Sequence, residues 1–388
     1  MRRTVNVSDG EAKPRKRSWR KRLLGTIIYG VFLLVFVELA LQTFYYVSVG
    51  DFLFTRMALP IYAPDEHAGI WNKPNLDQFH KTREFRAQLY TNAQGFRVPS
   101  PGIEYDLEKD PAKYRVMLMG PSFAYGHAVN YEDSFAARLE ESLERQGFAD
   151  ARDVELINAG VPALANLNQL RWYEGEGREY APDLLLQFVY GSMAIPPTEP
   201  QEVTDDGYLV RKGGLKKALM SRAKNSAIIF YGWTLWMRAG DLLHEEPETG
   251  EIAGAGRAMQ VRSSFDPDDP ATVESMKYYE RLREAAAADG ARLVLVHFPL
   301  SYCIHRGDIS RWKHLGVRDV DQQIAYEEAF CAYLRDRGFE CLNITPDLQA
   351  AAETGERLYY WLDIHWTPRG NLVAAEAVAA RLLGEGDS

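Results

Sequence analysis

The chain is poor in cysteine: it has three, Cys303, Cys331 and Cys341, and their spacing is not that of a metal site. No His/Asp/Glu cluster has ligand spacing and no glycine-rich phosphate cradle is visible, so no metal or other cofactor is implied. Low-complexity tracts and internal repeats are also missing. What remains is an ordinary globular composition, 46% hydrophobic over 388 residues, enough for one large or two modest domains. Positive charge is scarce beyond the first stretch. Residues 1–22 carry nine Lys/Arg against Asp9 and Glu11, a net of +7, while the formal total is −9 and the remainder about −16. An acidic body repels phosphate backbones, which argues against nucleic acid as a partner.

The one long hydrophobic run, Leu23 to Gly50, is apolar apart from Glu38 and a few neutral polar residues. A bilayer needs about 20 such residues as a helix. A cleaved signal peptide would have a shorter apolar stretch, about 7–15 residues, ending in a small-residue site. This run is longer and lacks an Ala-x-Ala ending, so the sequence predicts an uncleaved membrane anchor over 23–50. The basic tail, 1–22, then stays in the cytoplasm and everything after Gly50 lies outside it, in the periplasm. Tyr45 and Tyr46 suit the far interface. Glu38 costs about 2.5–3.5 kcal/mol on insertion scales for charged residues such as Asp. Either the helix tolerates it protonated or it makes a polar contact with a partner helix. In an exported domain three cysteines permit one disulfide and leave one thiol, with the pair open.

Residues 51–112 read as a connecting region with short strands: Phe85 to Tyr90 alternates ahead of the turn signal Asn92-Ala93-Gln94-Gly95. A regular rhythm follows in 113–388. Apolar runs at 115–119, 154–158, 183–190, 292–298 and 339–344 suit strands buried on both faces. Helical patterns lie between them at 131–146, 167–180, 272–289 and 321–337, and a last helix runs from the cap Thr367 and Pro368 to about Leu383. Alternating strands and helices predict an α/β fold with a doubly wound, parallel, five-stranded sheet and right-handed crossovers. The segment 195–270 interrupts the rhythm and reads as an insertion over the active edge. Its apolar stretch, Ala227 to Met237, is too short for a second membrane span.

Chemistry is expected where the strands end, because ligands of open parallel sheets bind outside their carboxyl edge. The first strand exits into Gly120-Pro121-Ser122, the second into Asn158-Ala159-Gly160 and the third into Gly191-Ser192; Asp363-Ile364-His365-Trp366 precedes the last helix. A serine at a strand exit, with an Asp and a His near the C-terminus, supplies the parts of a nucleophilic acyl-transfer site. Taken singly, Ser122 is a turn residue, His365 a packed histidine beside Trp366, Asp363 a helix cap, Gly160 a turn glycine and Ser192 a loop hydroxyl. Their joint placement favours chemistry. His297, at the end of the fourth run, reads as structural; His127, five residues after Ser122, reads as part of a solvent-facing loop, with a place in the cleft lining as the alternative.

The stretches VMLMGPSFAYGHAV, VELINAGVPALANLNQL, DLLLQFVYGSM and DIHWTPRGNLVAAEAVA, with TNAQGFR ahead of them, resemble the SGNH/GDSL hydrolase superfamily, in particular its membrane-anchored bacterial members. The resemblance covers about residues 90–385 and matches the insertion poorly. It implies a flavodoxin-like fold with Ser122 as nucleophile, His365 as its base and Asp363 as the support of the imidazole. The oxyanion donors would be the amides of Ser122 and Gly160 and the side chain of Ser192. Two positions depart from the family pattern: Pro121 replaces an Asp, and Ser192 replaces an Asn. The resemblance implies a membrane-tethered esterase acting on acyl, in particular acetyl, esters of envelope or secreted carbohydrate, or an O-acyltransferase that passes the acyl group to a sugar hydroxyl. Relatives of this kind often work beside a multi-spanning membrane acyltransferase, for which Glu38 would be a contact. The alternative is a catalytically impaired member that binds glycan or scaffolds an export complex.

Overall fold

The computed structural model describes residues 19–53, 59–148, 153–189, 202–210, 223, 225–242, 265–309 and 319–384. The apolar run forms helix α1 (Trp19–Val49), 31 residues long, which reaches about 46 Å at 1.5 Å per residue. That exceeds the roughly 30 Å of bilayer hydrocarbon, and its apolar side chains from Leu23 to Val37 are exposed. After it come a small hairpin, β1 (Tyr62–Asp65) and β2 (Gly69–Asn72), and three further strands, β3 (Asp77–Lys81), β4 (Arg86–Thr91) and β5 (Arg97–Val98). The α/β body then runs β6 (Lys113–Met119), the single turn α2 (Ser122–Tyr125), α3 (Phe135–Arg145), β7 (Asp153–Asn158), α4 (Asn166–Gly175) and β8 (Leu184–Val189). The two-residue strands β9 (Glu202–Val203) and β10 (Leu209–Val210) precede α5 (Ala227–Leu242) and α6 (Pro270–Ala288). The chain closes with β11 (Arg292–His297), the turn α7 (Ser301–Ile304), α8 (Val320–Asp336), β12 (Glu340–Asn343), α9 (Thr345–Ala352) and α10 (Pro368–Leu382).

The main sheet has the order β12-β11-β8-β6-β7-β5-β4-β3. Its first five strands are parallel and fall on the five apolar runs read from the sequence. Their side chains alternate between two cores. Val116 and Leu118 of β6 face a layer that includes Phe135, Leu139 and Val378 from α3 and α10. Met117 and Met119 face the opposite layer, with Trp172, Leu282 and Phe330 from α4, α6 and α8. Burial on both faces is why these strands read as continuous apolar runs. The chain leaves β6 for β7 on one side and then returns to β8 on the other, so strand order reverses at β6. That places a crevice at its carboxyl end.

The sheet is wider than the sequence suggested. Beyond β7 it continues as antiparallel β5, β4 and β3, joined through the single pair Arg97–Asn158. The stretch read as a connecting region thus adds a wing to the sheet. Arg97 is fully buried and has carbonyl partners: it donates to those of Tyr90 (3.2 Å), Val98 (3.1 Å) and Gln88 (2.8 Å). Burial pushes its pKa down, opposed by nearby Tyr125 and Tyr131. The TNAQGFR phrase therefore has a structural task, a clamp between the wing and the body.

Local chemistry ends the helices as the sequence indicates. Ser134 caps α3 by accepting from Ala137 N at 3.3 Å, and Thr367 caps α10 by accepting from Gly370 N at 3.2 Å, with Pro368 in the first turn. Cys331 of α8 and Cys341 of β12 form the disulfide, and Cys303 is a buried thiol whose pKa burial raises.

Glu38 does make a polar contact, but with this chain's own helix. Its carboxylate accepts from Ser226 Oγ (2.8 Å), Ala227 N (2.7 Å) and Ile228 N (3.0 Å) at the start of α5. Gln42 supports it, donating to Glu38 Oε1 and to Asn225 O, each at 2.9 Å. A carboxylate at a helix N-terminus satisfies orphan amides and meets the positive end of the helix dipole.

Candidate active site

Strand β6 ends at Met119, and Gly120-Pro121 turn the chain into α2, whose first residue is Ser122. Pro121 sits at the N-cap with φ −77°. Its missing N–H leaves nothing unpaired there, because amides at a helix start have no intrahelical acceptor. The turn is held by backbone instead of a carboxylate. Tyr125 N donates to Pro121 O and His127 N to Ser122 O, both at 3.1 Å, and Gly126 ends the turn at φ +73°.

The partners of Ser122 arrive on the loop between α9 and α10. A bridge between Tyr359 and Trp366 pinches this loop at its base. Glu84, in the turn between β3 and β4, accepts from Trp361 N and Leu362 N, both at 2.7 Å. So anchored, the loop presents Asp363 and His365 to α2. Asp363 Oδ1 accepts from His365 N at 3.0 Å and also contacts His365 Nδ1. His365 Nε2 lies 2.6 Å from Ser122 Oγ. A proton on Nδ1, facing the carboxylate, leaves Nε2 to accept from the serine hydroxyl. Serine, histidine and aspartate are therefore brought together in hydrogen-bonding order.

The electrostatics match that order. Burial alone would raise the Asp363 pKa, but the positive charge that the His365 ring takes up when protonated, and the hydrogen bonds from its Nδ1 and backbone N–H, hold it well below the usual carboxylate range. Asp363 stays ionised beside the imidazole. Phe123 packs its ring against His365, Phe298 and Trp366 with centroids 5.0, 4.6 and 4.9 Å apart, which fixes the imidazole from one side. A small recess opens between Ser122, His127, Val129, His365, Trp366 and Asn371.

His127 lines the recess, the alternative of its two readings, rather than facing solvent. Its ring centroid is 5.2 Å from that of His365 and 4.5 Å from that of His80, and its Nδ1 is buried without a hydrogen-bond partner among the described residues. Burial, then the neighbouring His80 and His365, depress its pKa well below that of a free imidazole, which keeps it neutral. His80 comes from β3, where Phe79 is exposed and His80 buried. A buried imidazole beside an exposed phenylalanine reverses the usual alternation, so the sequence carried no signal for it.

Gly160 also differs from expectation. Its N–H donates to Asn158 Oδ1 at 3.0 Å rather than pointing to an empty oxyanion position. Asn158 Nδ2 bonds Ala124 O, and Asn72 Nδ2 bonds Gly160 O, each at 2.9 Å. A glycine is needed here for close approach: a Cβ would fall 2.5 Å from Tyr125 N and 2.8 Å from Ala124 C. Gly160 thus supports the Ser122 turn from below. Ser192, the other expected donor, lies outside the described residues. His297 is buried at the end of β11, its Nδ1 3.4 Å from Asn343 Oδ1 and its Nε2 3.7 Å from Glu327 Oε2. Burial takes His297 down to about 4 and Glu327 up to about 8, so both are neutral near pH 7. Among the described residues no group of His, Cys, Asp and Glu is placed to hold a metal ion.

Residues 261–387, which include Asp363 and His365, match the family described as SGNH hydrolase-like domain, acetyltransferase AlgX. The Pseudomonas syringae pv. tomato protein named "Probable alginate O-acetylase AlgJ" is 25% identical over 155 residues, 39% of this chain and 38% of that relative. The match therefore spans well under half the length of the curated relative. Among solved structures, a G-D-S-L family lipolytic protein from Desulfitobacterium hafniense aligns with 12% identity, a TM-score of 0.38, and coverage of 69% of this chain and 99% of the other. An acetyl xylan esterase gives 12% identity and a TM-score of 0.38, covering 69% and 98%. A two-domain esterase active on acetylated mannans gives 11% and 0.36, covering 71% and 51%. Residues 261–387 are thus similar to an SGNH hydrolase-like acetyltransferase domain, and the chain carries near its N-terminus one helix long and apolar enough to cross a membrane.

Proposed function

We propose that this protein is a membrane-anchored SGNH-type serine acyl-ester enzyme that removes or transfers acetyl groups on carbohydrate. The observation that carries the reading is the 2.6 Å approach of His365 Nε2 to Ser122 Oγ, with Asp363 against the other ring nitrogen. Ser122 Oγ attacks the ester carbonyl while His365 takes its proton. The alkoxide leaves with that proton, and the acyl group stays on Ser122. Water or a sugar hydroxyl then attacks, with His365 as base, and Ser122 is released. The names of the AlgX family and of the AlgJ relative support a carbohydrate acetyl ester as substrate. The basic tail supports an N-terminus in the cytoplasm and an active site outside it.

The oxyanion support is thin. With the Gly160 amide engaged by Asn158, the amide of Ser122 at the start of α2 is the donor we assign among the described residues. Losing one donor typically costs about 10²–10³ in turnover, so slow hydrolysis is expected. The same observation favours the second reading, a glycan-binding member with little activity.

The test is covalent capture. Full-length protein in detergent is incubated with a fluorophosphonate probe and, separately, with acetylated oligosaccharide. Wild type should label at Ser122 and release or transfer acetate, whereas Ser122→Ala should do neither. A folded wild type that takes no probe and turns over no acetylated sugar would select the second reading.

A further inference from the structure

Helix α5 is apolar on two sides. Its inward stripe, Ala227, Phe230 and Thr234, is buried. Ala227 and Phe230 pack with Tyr45 of α1 and with Leu53. Its outward stripe, Ile229, Trp233 and Trp236, recurs at i, i+4 and i+7, and these residues are 49%, 44% and 69% exposed, with Leu235 beside them at 67%. A helix apolar all round belongs in a core or in lipid, and the outward stripe has no core.

The course of α5 says which. Glu38 holds residues 226–228, Phe44 meets Tyr231 (5.9 Å between rings) and Tyr45 meets Phe230 (5.9 Å). Contacts advance together along both helices, so α5 starts alongside the outer part of α1 and runs with it. Counting about 20 residues of span from the basic end at Arg22 puts the far boundary near Gln42. Glu38 and the first turn of α5 then lie on the hydrocarbon side of that boundary. The outward stripe is continuous with the lipid-facing surface of α1. Toward the body, exposed Arg238 lies over the Trp361 ring at 5.3 Å, and Arg83 over Tyr231 at 5.5 Å. Arginines next to aromatic rings suit the headgroup layer.

We propose that α5 is a second, interfacial membrane contact whose Ile229/Trp233/Trp236 stripe sits at the hydrocarbon–headgroup boundary of the leaflet that α1 leaves. Because Trp361 and Leu362 immediately precede Asp363 and pack toward α5, this contact holds the Asp363/His365 loop close to the bilayer surface. The inference rests on α1 crossing the membrane and not on catalysis.

Site-directed labelling tests it in the full-length chain. Single cysteines at Ile229, Trp233 or Trp236 are labelled with an environment-sensitive fluorophore; Cys303 is buried and the other two cysteines are bridged. The labelled proteins are placed in phosphatidylcholine liposomes containing nitroxide lipids. Phe36→Cys on α1 is the lipid reference, and Leu107→Cys, exposed on the body, is the aqueous reference. The expected result is quenching at all three stripe positions at least threefold above Leu107→Cys, strongest at Ile229 and weakest at Trp236. Quenching equal to Leu107→Cys overturns the proposal. So does a blue-shifted label that nitroxide lipids fail to quench, since protein would then cover the stripe. An unquenched Phe36→Cys would overturn both this contact and the anchor reading, while leaving the triad untouched.

Discussion

At the residue scale the chain shows which signals a motif carries and which it hides. The proposed triad, Ser122, Asp363 and His365, could be read from the sequence because each follows an apolar run or precedes a cap, and the three side chains stand in the hydrogen-bonding order that the proposed roles need. Asp363→Asn should leave the fold intact and favour the wrong imidazole tautomer. A fall of about 10⁴ in probe labelling is expected, as for the same change in other triads, with an unchanged melting temperature as the control. The role of Gly160 was not readable. A glycine after a strand gives no clue that its N–H is bonded to Asn158 while its α-carbon faces the backbone of Tyr125. Gly160→Ala forces that backbone to move, because the obstructing atoms belong to the main chain. Ser122 shifts with it, and displacements of about 1 Å can cost 10²-fold in rate. Labelling should therefore fall by about that factor, and a variant that labels at the wild-type rate would remove Gly160 from the positioning of the turn.

At the element scale, the five parallel strands were legible because burial on both faces leaves a continuous apolar signature. The antiparallel wing was not. β5 is two residues long, and its single pairing to β7 has no pattern a sequence can show. Yet this wing brings His80 and Glu84 to the active edge, and the separate β1–β2 hairpin brings Asn72. Helix α3 carries a prediction of its own. Glu140 accepts from Leu156 N at 2.9 Å, and burial raises its pKa to about 7 against that hydrogen bond. A folded-state pKa above the unfolded value means that the folded chain binds the proton more tightly. The associated stability is complete below about pH 4.5 and is lost as pH rises through about 7. Glu140→Gln removes the titration. Thermal melts should show variant and wild type alike near pH 5 within a few degrees, and the variant more stable at pH 8, by on the order of 1–2 kcal/mol. Equal pH slopes for the two proteins would show that Glu140 is not the group responsible.

At the scale of the whole molecule, two ties, one short and one long in sequence, lie beyond local reading. One is the disulfide between Cys331 and Cys341, which sequence left open among three pairings. Closing so short a loop stabilises by about 2–3 kcal/mol on loop-entropy grounds. Replacing both cysteines with serine should lower the melting temperature while probe labelling persists, because the bridge lies between α8 and β12 and touches none of the triad. The other tie is Glu38. Its hydroxyl partner Ser226 lies 188 residues downstream. At about 5–20 residues per second, a ribosome needs roughly 10–40 s to make that stretch. The carboxylate therefore enters the bilayer long before the amides that receive it exist. Insertion of α1 must proceed on its apolar residues alone, and the acidic side chain waits unpaired, or protonated, through much of synthesis. Once residues 226–228 have been made, the start of α5 supplies the missing partners. A premature stop before residue 226 would leave an anchored chain with its most costly residue still exposed to lipid.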